Sequence, residues 1–276
     1  MSEKEKGEMS FLEHLEELRW HIIRSLLAIS VFTLVAFCFK HFLFDIVILG
    51  PSKTDFITNR ILCYLGKVIN ISSLCLNTKP IKLQSIEMAG QFLAHIRISV
   101  ITGLVIACPY IFYEFWRFVR PALYAGERKI ARSAVLGMSF LFFLGVLFGY
   151  FVICPFSVNF LINYQVSELA ENNIKLMSYV STVANIVLAA GVMFELPVLI
   201  FFLSKIGILT PEFLKKYRRH AIIVILIVAA VITPPDVFSQ TLVSLPLILL
   251  YELGIIISKR VRKKQEMKEK IQQYEI

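Results

Sequence analysis

A series of long apolar runs without charged residues constrains this chain more than any other feature of its sequence. Six such runs follow one another and are separated by polar segments. About 20 apolar residues in an α-helix are needed to cross the hydrocarbon core of a bilayer, which is about 30 Å thick. Only 18% of the residues are charged, whereas a soluble domain carries about 25%. The sequence therefore predicts an all-α integral membrane protein.

The apolar runs predict six transmembrane helices in a single membrane domain that covers residues 1–276. The last two runs hold 15 residues each, or about 22 Å of helix. We expect them to form a short hairpin, turned at Pro234 and Pro235, that thins the bilayer locally. We also expect Pro155 to end the third helix, because proline interrupts helical hydrogen bonding. The predicted spans cover residues 22–42, 92–116, 133–154, 179–204, 219–233 and 238–257.

The distribution of lysine and arginine predicts how the helices are oriented. Four segments, at residues 1–24, 117–132, 205–219 and 259–276, hold 21 of the 29 basic residues. Positive charges are retained on the cytoplasmic side of membrane proteins. Both termini are therefore predicted to be cytoplasmic, with residues 258–276 as a tail. The predicted outward loops are residues 43–91, 155–178 and 234–237.

Several classes of function find no support in the sequence. The net charge of +9 could suit nucleic acid, but no basic patch is interleaved with aromatic residues that could stack on bases. The zinc motif HExxH, the nucleophile motif GxSxG, the P-loop and the glycine-rich dinucleotide fingerprint are all absent. We therefore expect no enzyme, no metal, no cofactor and no nucleic-acid partner.

One acidic residue, Glu195, falls inside a predicted span, close to Pro197. A charge at the centre of a membrane helix costs about 2.5–3.5 kcal/mol on insertion scales. Glu195 therefore either forms a polar site that faces a cavity or a partner, which we favour, or packs as a hydrogen-bonded acid beside a proline kink. Glu114 and Glu252 lie near helix ends, from which we expect both to reach the membrane interface.

Two of the five cysteines, Cys63 and Cys75, share the first predicted outward loop. In an oxidising outer compartment they would form a disulfide. A bridge that closes a loop of about 15 residues contributes about 3 kcal/mol in the chain-entropy model. Two free thiols are the alternative, since bridging requires a geometry that the sequence does not specify.

Four short motifs stand in order along the predicted topology. They are HLEELR at residues 14–19, FVRPALYAGER at residues 118–128, FELP at residues 194–197 and TPPDVFSQ at residues 233–240. Together they resemble the TatC family, whose members are the multi-pass core subunits of the twin-arginine protein translocase. The resemblance extends from about residue 11 to residue 262. One departure is the outward loop at residues 54–80, which is longer than usual in the family and carries the two cysteines.

The resemblance implies a function in the cytoplasmic (inner) membrane. A TatC protein receives folded cargo whose signal peptide carries paired arginines, and it recruits single-span partners of the TatA and TatB types. Transport is driven by the proton-motive force, without a catalytic step or a cofactor. Self-association within the lipid bilayer is expected as well.

The resemblance also implies which residues carry this function. The signal-peptide acids fall on Glu17 and Glu127, surrounded by the motif residues Arg19, Phe118 and Pro121. The intramembrane and partner positions fall on Glu195, Pro197, Asp236 and Gln240. A guanidinium presents paired donors that a carboxylate accepts in a bidentate manner, and lysine cannot reproduce this geometry. Spacing alone would favour plainer roles, with Glu17 a solvated acid and Glu127 a surface partner of the neighbouring basic residues.

The main alternative is a proton-coupled secondary transporter with Glu195 as its coupling acid. Such a transporter is expected to contain several intramembrane charges and an internal repeat with broken helices in matching positions. The sequence shows one acid in mid-span and no repeat. The twin-arginine translocase is therefore the preferred hypothesis.

Overall fold

The computed structural model describes residues 11–69, 83–119, 128–165, 167, 172–233 and 237–274. These residues form two compact units, the first within residues 1–40 and 95–140 and the second within residues 41–94 and 141–276. Ten α-helices follow in chain order within the described part of the chain: α1 (Phe11–Cys38), α2 (Ile57–Ile69), α3 (Gly90–Val119), α4 (Arg128–Phe148), α5 (Cys154–Asn163), α6 (Leu176–Met193), α7 (Leu196–Lys205), α8 (Pro211–Lys216), α9 (Arg218–Ile232) and α10 (Val237–Tyr274).

Five helical stretches are long and apolar enough to cross a membrane. They cover Leu15–Cys38, Gly90–Val119, Ala134–Asn163, Leu176–Lys205 and Ser239–Met267. Each overlaps a predicted span, so the protein is a multi-pass membrane protein. The remaining predicted span, residues 219–233, corresponds to α9, which has only 15 residues. Whether α9 crosses the membrane stays a prediction.

Pro155 does not end the third helix, contrary to our expectation. A π-helical turn at Gly149–Ile153 leads directly into α5, which continues to Asn163, and Pro155 lies in the first turn of α5. Proline has no amide hydrogen, so in a regular helix the carbonyl of Phe151, four residues earlier, would lack its donor. The hydroxyl of Thr58 in α2 donates to this carbonyl at 2.6 Å. Pro155 is therefore tolerated inside the helix because a side chain supplies the missing hydrogen bond.

The segment predicted as the first outward loop contains regular structure. After α1 come a π-helical segment (Phe42–Ile48), a 3-10 turn (Gly50–Ser52) and then α2. Two tyrosine hydroxyls bind the main chain of the π-helical segment, as Tyr150 donates to the carbonyl of Val47 at 2.6 Å and Tyr179 to that of Ile48 at 2.9 Å. Farther on, β1 (Leu83–Gln84) pairs in parallel with β2 (Ile174–Lys175). The two predicted outward loops are thus joined by a short sheet.

In the second unit, α4 packs closely on α6 through glycines. A methyl group at Gly145 would stand 2.5 Å from the carbonyl oxygen of Ala190, and one at Gly149 would stand 2.8 Å from the Ala190 side chain. Small residues spaced four apart let membrane helices approach until their backbones touch. Close packing between these helices therefore depends on the absence of side chains at both positions.

In the first unit, α1 and α3 pack side by side in antiparallel directions. The pair His21–Glu114 lies at one end, the glycine contact Thr33–Gly103 in the middle, and the stacked rings of Phe37 and His95 at the other end, with centroids 4.0 Å apart. Residues later in α1 thus contact residues earlier in α3. This register places the first turns of α1 beside the last turn of α3.

Candidate functional site

Glu17 lies near the beginning of α1, where glutamate, leucine and arginine all favour a helix. Its side chain is partly buried, and its Oε2 atom is shielded from solvent. No donor among the described residues hydrogen bonds to this oxygen. A shielded carboxylate oxygen without a donor is costly unless another group completes it. Glu17 therefore has the capacity to accept a donor from outside the described part of the chain.

A buried hydrogen bond between two side chains lies one helical turn farther along α1. The Nδ1 atom of His21 is 2.5 Å from the Oε2 atom of Glu114 in α3. His21 is only 6% exposed and Glu114 only 2%. Tyr110, one turn earlier in α3, brings its hydroxyl close to the same carboxyl group. Glu114 is therefore buried between the two helices and bound by His21, and its position relative to the membrane interface stays a prediction.

Phe118 belongs to the same end of the helix pair. Its ring meets the ring of His21 edge to face, with centroids 6.0 Å apart. Residues four apart share one face of a helix. Glu17 therefore lies on the same face of α1 as His21, one turn closer to the start of that helix, and Phe118 lies on the same face of α3 as Glu114, one turn closer to the end of that helix. The structure thus brings two predicted site residues, Glu17 and Phe118, to one end of α1 and α3, with His21 between them.

The other residues predicted for this site do not lie beside Glu17 in the described part of the chain. The side chain of Arg19 is 63% exposed, lies 3.6 Å from Glu16, and places its guanidinium 5.8 Å from the ring centre of Trp20. It therefore belongs to a different face of α1 from Glu17. Glu127 and Pro121 lie outside the described residues, so their place beside Glu17 stays a prediction.

Glu195 occupies the turn that separates α6 from α7, and Pro197 lies buried in the first turn of α7. Both carboxyl oxygens of Glu195 are shielded and lack a hydrogen-bond partner in the described part of the chain. The main chain of Phe142 in α4 lies near enough to interact with the carboxyl group, though without the geometry of a hydrogen bond. This arrangement differs from a satisfied packing acid, which would have a donor on a neighbouring helix.

The remaining predicted partner positions lie near α9 and α10. The amide Nε2 of Gln240 donates to the carbonyl of Leu226 in α9 at 3.1 Å, so Gln240 ties these two helices together. Asp236 lies outside the described residues. Glu252 in α10 is paired with Arg218 in α9 at 2.5 Å and is two-thirds buried. This ion pair joins α9 to α10.

The structure also bears on the cysteines and on possible metal ligands. Cys63, in α2, takes part in a disulfide bond. Cys75 lies outside the described residues, so its pairing with Cys63 stays a prediction. Cys38, Cys108 and Cys154 are not part of a disulfide bond. Within the described ranges, no group of three or more histidine, cysteine, aspartate or glutamate side chains could hold a metal ion.

His21 is the residue of this site that sequence reasoning missed. It stands four residues after Glu17, and Glu114 stands four before Phe118, so both pairs follow helical spacing around motif residues. This spacing was the available signal. It acquires meaning only once α1 and α3 are known to be neighbours.

The chain is similar to known proteins over most of its length. Residues 13–246 match the family model of the Sec-independent protein translocase protein (TatC). A TatC protein of Blattabacterium is 43% identical over 95% of this chain and 99% of its own length. Another, from Aquifex aeolicus, is 34% identical over 94% of this chain and 99% of its own. A crystal structure of the twin arginine translocase receptor TatC superposes with a TM-score of 0.70 at 33% identity, covering 91% of this chain and 100% of that one.

Proposed function

The chain belongs to the TatC family of Sec-independent protein translocase proteins, and from this premise we propose that it is the signal-peptide receptor of a twin-arginine translocase. It is a component of a transport system rather than an enzyme. Its ligand in this proposal is the signal peptide of a folded cargo protein, recognised by two adjacent arginines.

The observation that carries this proposal is the shielded carboxylate oxygen of Glu17. It has no donor among the described residues, and it stands at the end of α1 beside Phe118. An arginine of the signal peptide would supply two parallel donors to the carboxylate and neutralise its charge.

The second arginine is assigned to Glu127. This residue follows the end of α3 by only eight positions, so the chain after Phe118 can bring it back towards Glu17. Two carboxylates on separate segments would read two adjacent arginines and would bind paired lysines less well. Arg19 and Pro121 are assigned a supporting role as residues of the two motifs, with the Arg19 side chain on a different face of α1 from Glu17.

The proposed membrane arrangement has six spans, including α9, with both termini in the cytoplasm and the bilayer being the cytoplasmic membrane. Glu195, with Pro197, is assigned to the recruitment of single-span TatA-type and TatB-type partners, together with Asp236 and Gln240 near the last outward turn. The driving force is the proton-motive force. A disulfide between Cys63 and Cys75 would stabilise the first outward loop.

Glu195 also favours a second candidate, the proton-coupled secondary transporter. Its carboxyl group lies inside a span and has no hydrogen-bond partner among the described residues, as a coupling acid requires. Uptake of a small solute into liposomes that contain this protein alone would support that function. Dependence of export on a paired-arginine signal would support the translocase.

The proposed function is tested by peptide binding to the purified full-length protein. Each charged hydrogen bond to an arginine contributes about 1.5–3 kcal/mol, so Glu17→Gln and Glu127→Gln should each lower the affinity for a paired-arginine peptide by about tenfold or more. Replacing the arginines of the peptide by lysines should cost nearly as much.

Glu16→Gln is the matched control, because Glu16 is adjacent and exposed and carries the same charge. It should leave the affinity within about twofold, since exposed ion pairs contribute little. If Glu16→Gln weakened binding as much as Glu17→Gln, diffuse negative charge would explain the result and the specific site would be wrong.

A further inference from the structure

The buried pair His21–Glu114 has no assigned function, although it joins the two helices that carry the proposed site. Both side chains are almost fully buried, and their atoms approach to 2.5 Å. Removing one member of a buried hydrogen-bonded pair leaves an unsatisfied polar group, which destabilises that arrangement. The pair therefore resists sliding or rotation of α1 against α3.

The position of the pair matters as much as its burial. Along α1, Glu17 lies one turn before His21, and along α3, Phe118 lies one turn after Glu114 and touches the ring of His21. A rotation of α1 by one residue would turn Glu17 about 100° away from this end of the pair. The hydrogen bond thus holds Glu17 and the end of α3 in a single relative orientation.

We propose that His21 and Glu114 are positioning residues that set the distance and angle between Glu17 and the end of α3, and thereby the preference of the site for arginine over lysine. This inference rests on the proposed function. It follows from geometry, since bidentate binding of a guanidinium requires a carboxylate held at a fixed angle, whereas a lysine ammonium tolerates a wider range.

The test compares two quantities in the purified full-length protein: the affinity for a paired-arginine signal peptide and the ratio of that affinity to the affinity for its paired-lysine version. Glu114→Leu should lower the first by about tenfold and reduce the ratio by a similar factor. Glu114→Gln keeps an oxygen that accepts from His21, and it should keep both quantities within about threefold of the original. The exchange of His21→Glu with Glu114→His should restore most of what either single change removes.

A purely structural role is separated by measuring only the folded, monodisperse fraction. If Glu114→Leu reduced the yield of that fraction but left its affinity and its arginine preference unchanged, the inference would be overturned. Gly103→Ala is the matched control, because its methyl group would press on the Thr33 backbone nitrogen at 2.6 Å in the middle of the same helix pair. An equal loss of arginine preference in Gly103→Ala would also overturn it, because general loosening would then suffice.

Glu17→Gln, measured in parallel, separates this inference from the proposed function. If Glu17→Gln lowers the affinity and the preference while Glu114→Leu changes neither, the proposed function stands and the positioning role is wrong. If Glu17→Gln changes nothing, the proposed site fails, and the positioning role fails with it.

Discussion

At the scale of single residues, the carboxyl group of Glu195 poses a clear physical question. It lies at the turn between α6 and α7, inside the apolar stretch Leu176–Lys205, and neither oxygen has a hydrogen-bond partner in the described residues. Burial of an acid in this condition costs free energy that no neighbouring donor offsets. A polar group from a partner helix would supply the missing donor, as occurs between helices in membranes.

Glu195→Ala is therefore expected to impair transport and the cross-linking of single-span partners, while leaving binding of the signal peptide within about twofold of the original. Glu195→Gln should retain part of the activity, since an amide can still form a hydrogen bond across helices. The measurement is export of a reporter with a paired-arginine signal, alongside peptide binding to the same variant. An unchanged export rate in Glu195→Ala would show that the acid serves packing alone.

At the scale of the helices, the contact between α4 and α6 depends on glycine at the interface. A Cβ atom at Gly145 would meet both the carbonyl oxygen of Ala190 at 2.5 Å and the Cβ of Phe194 at 2.8 Å. Neither neighbour can rotate away as a flexible side chain would, since one is backbone and the other is the root of a side chain. The two helices must therefore separate to admit even one methyl group.

Gly145→Ala should destabilise the protein by about 1–3 kcal/mol, the usual cost of overpacking. Gly137→Ala is its control on the same helix, because a Cβ there meets nothing within 4 Å. Alanine favours a helix over glycine by about 1 kcal/mol, so Gly137→Ala should be neutral or stabilising. Thermal unfolding in detergent, followed by circular dichroism, measures both. Equal responses of the two variants would contradict packing as the cause.

Some features of the helices could be predicted from the sequence, and the reasons others could not are physical. Apolar length identifies spans because the bilayer requires it, whatever the tertiary packing. The continuation past Pro155 was not predictable, because it depends on Thr58, which is distant in sequence and near in space. The pairing of His21 with Glu114 was hidden for the same reason, whereas Glu17 was found through its motif and not through its own chemistry.

At the scale of the whole molecule, α10 continues without interruption from Val237 to Tyr274, well beyond the predicted end of the last span at residue 257. Its extension is held to α8 by an ion pair between Arg262 and Glu212, and Arg262 also binds Glu266 at 3.1 Å. Gln265 donates to the carbonyl of Lys205 at 2.9 Å. The predicted tail is therefore a helix fastened to the end of α7 and to α8.

This arrangement makes the topology testable with single cysteines introduced into a variant that lacks the native ones. Lys216→Cys and Lys263→Cys lie on the side predicted to be cytoplasmic and should react only after the membrane is permeabilised. A cysteine at Asp236 should react with an impermeant reagent in intact cells, since the turn after α9 is predicted to face outward. Labelling of Lys263→Cys from outside would exclude the six-span arrangement.

The π-helical turn at Gly149–Ile153 changes the spacing of buried residues along the helix. Up to and including its first residue, the buried residues Met138, Phe142, Gly145 and Gly149 are spaced by four, three and four, and Ile153 and Cys154, four and five residues after Gly149, are both buried. A π-turn contains one residue more than an α-turn, and one residue corresponds to about 100° of rotation. The extra residue lets both Ile153 and Cys154 lie on the buried face, and Ser157 follows on that face. Deleting one residue from the turn would yield a more regular helix, but it would rotate the buried face of α5 by about 100° relative to that of α4.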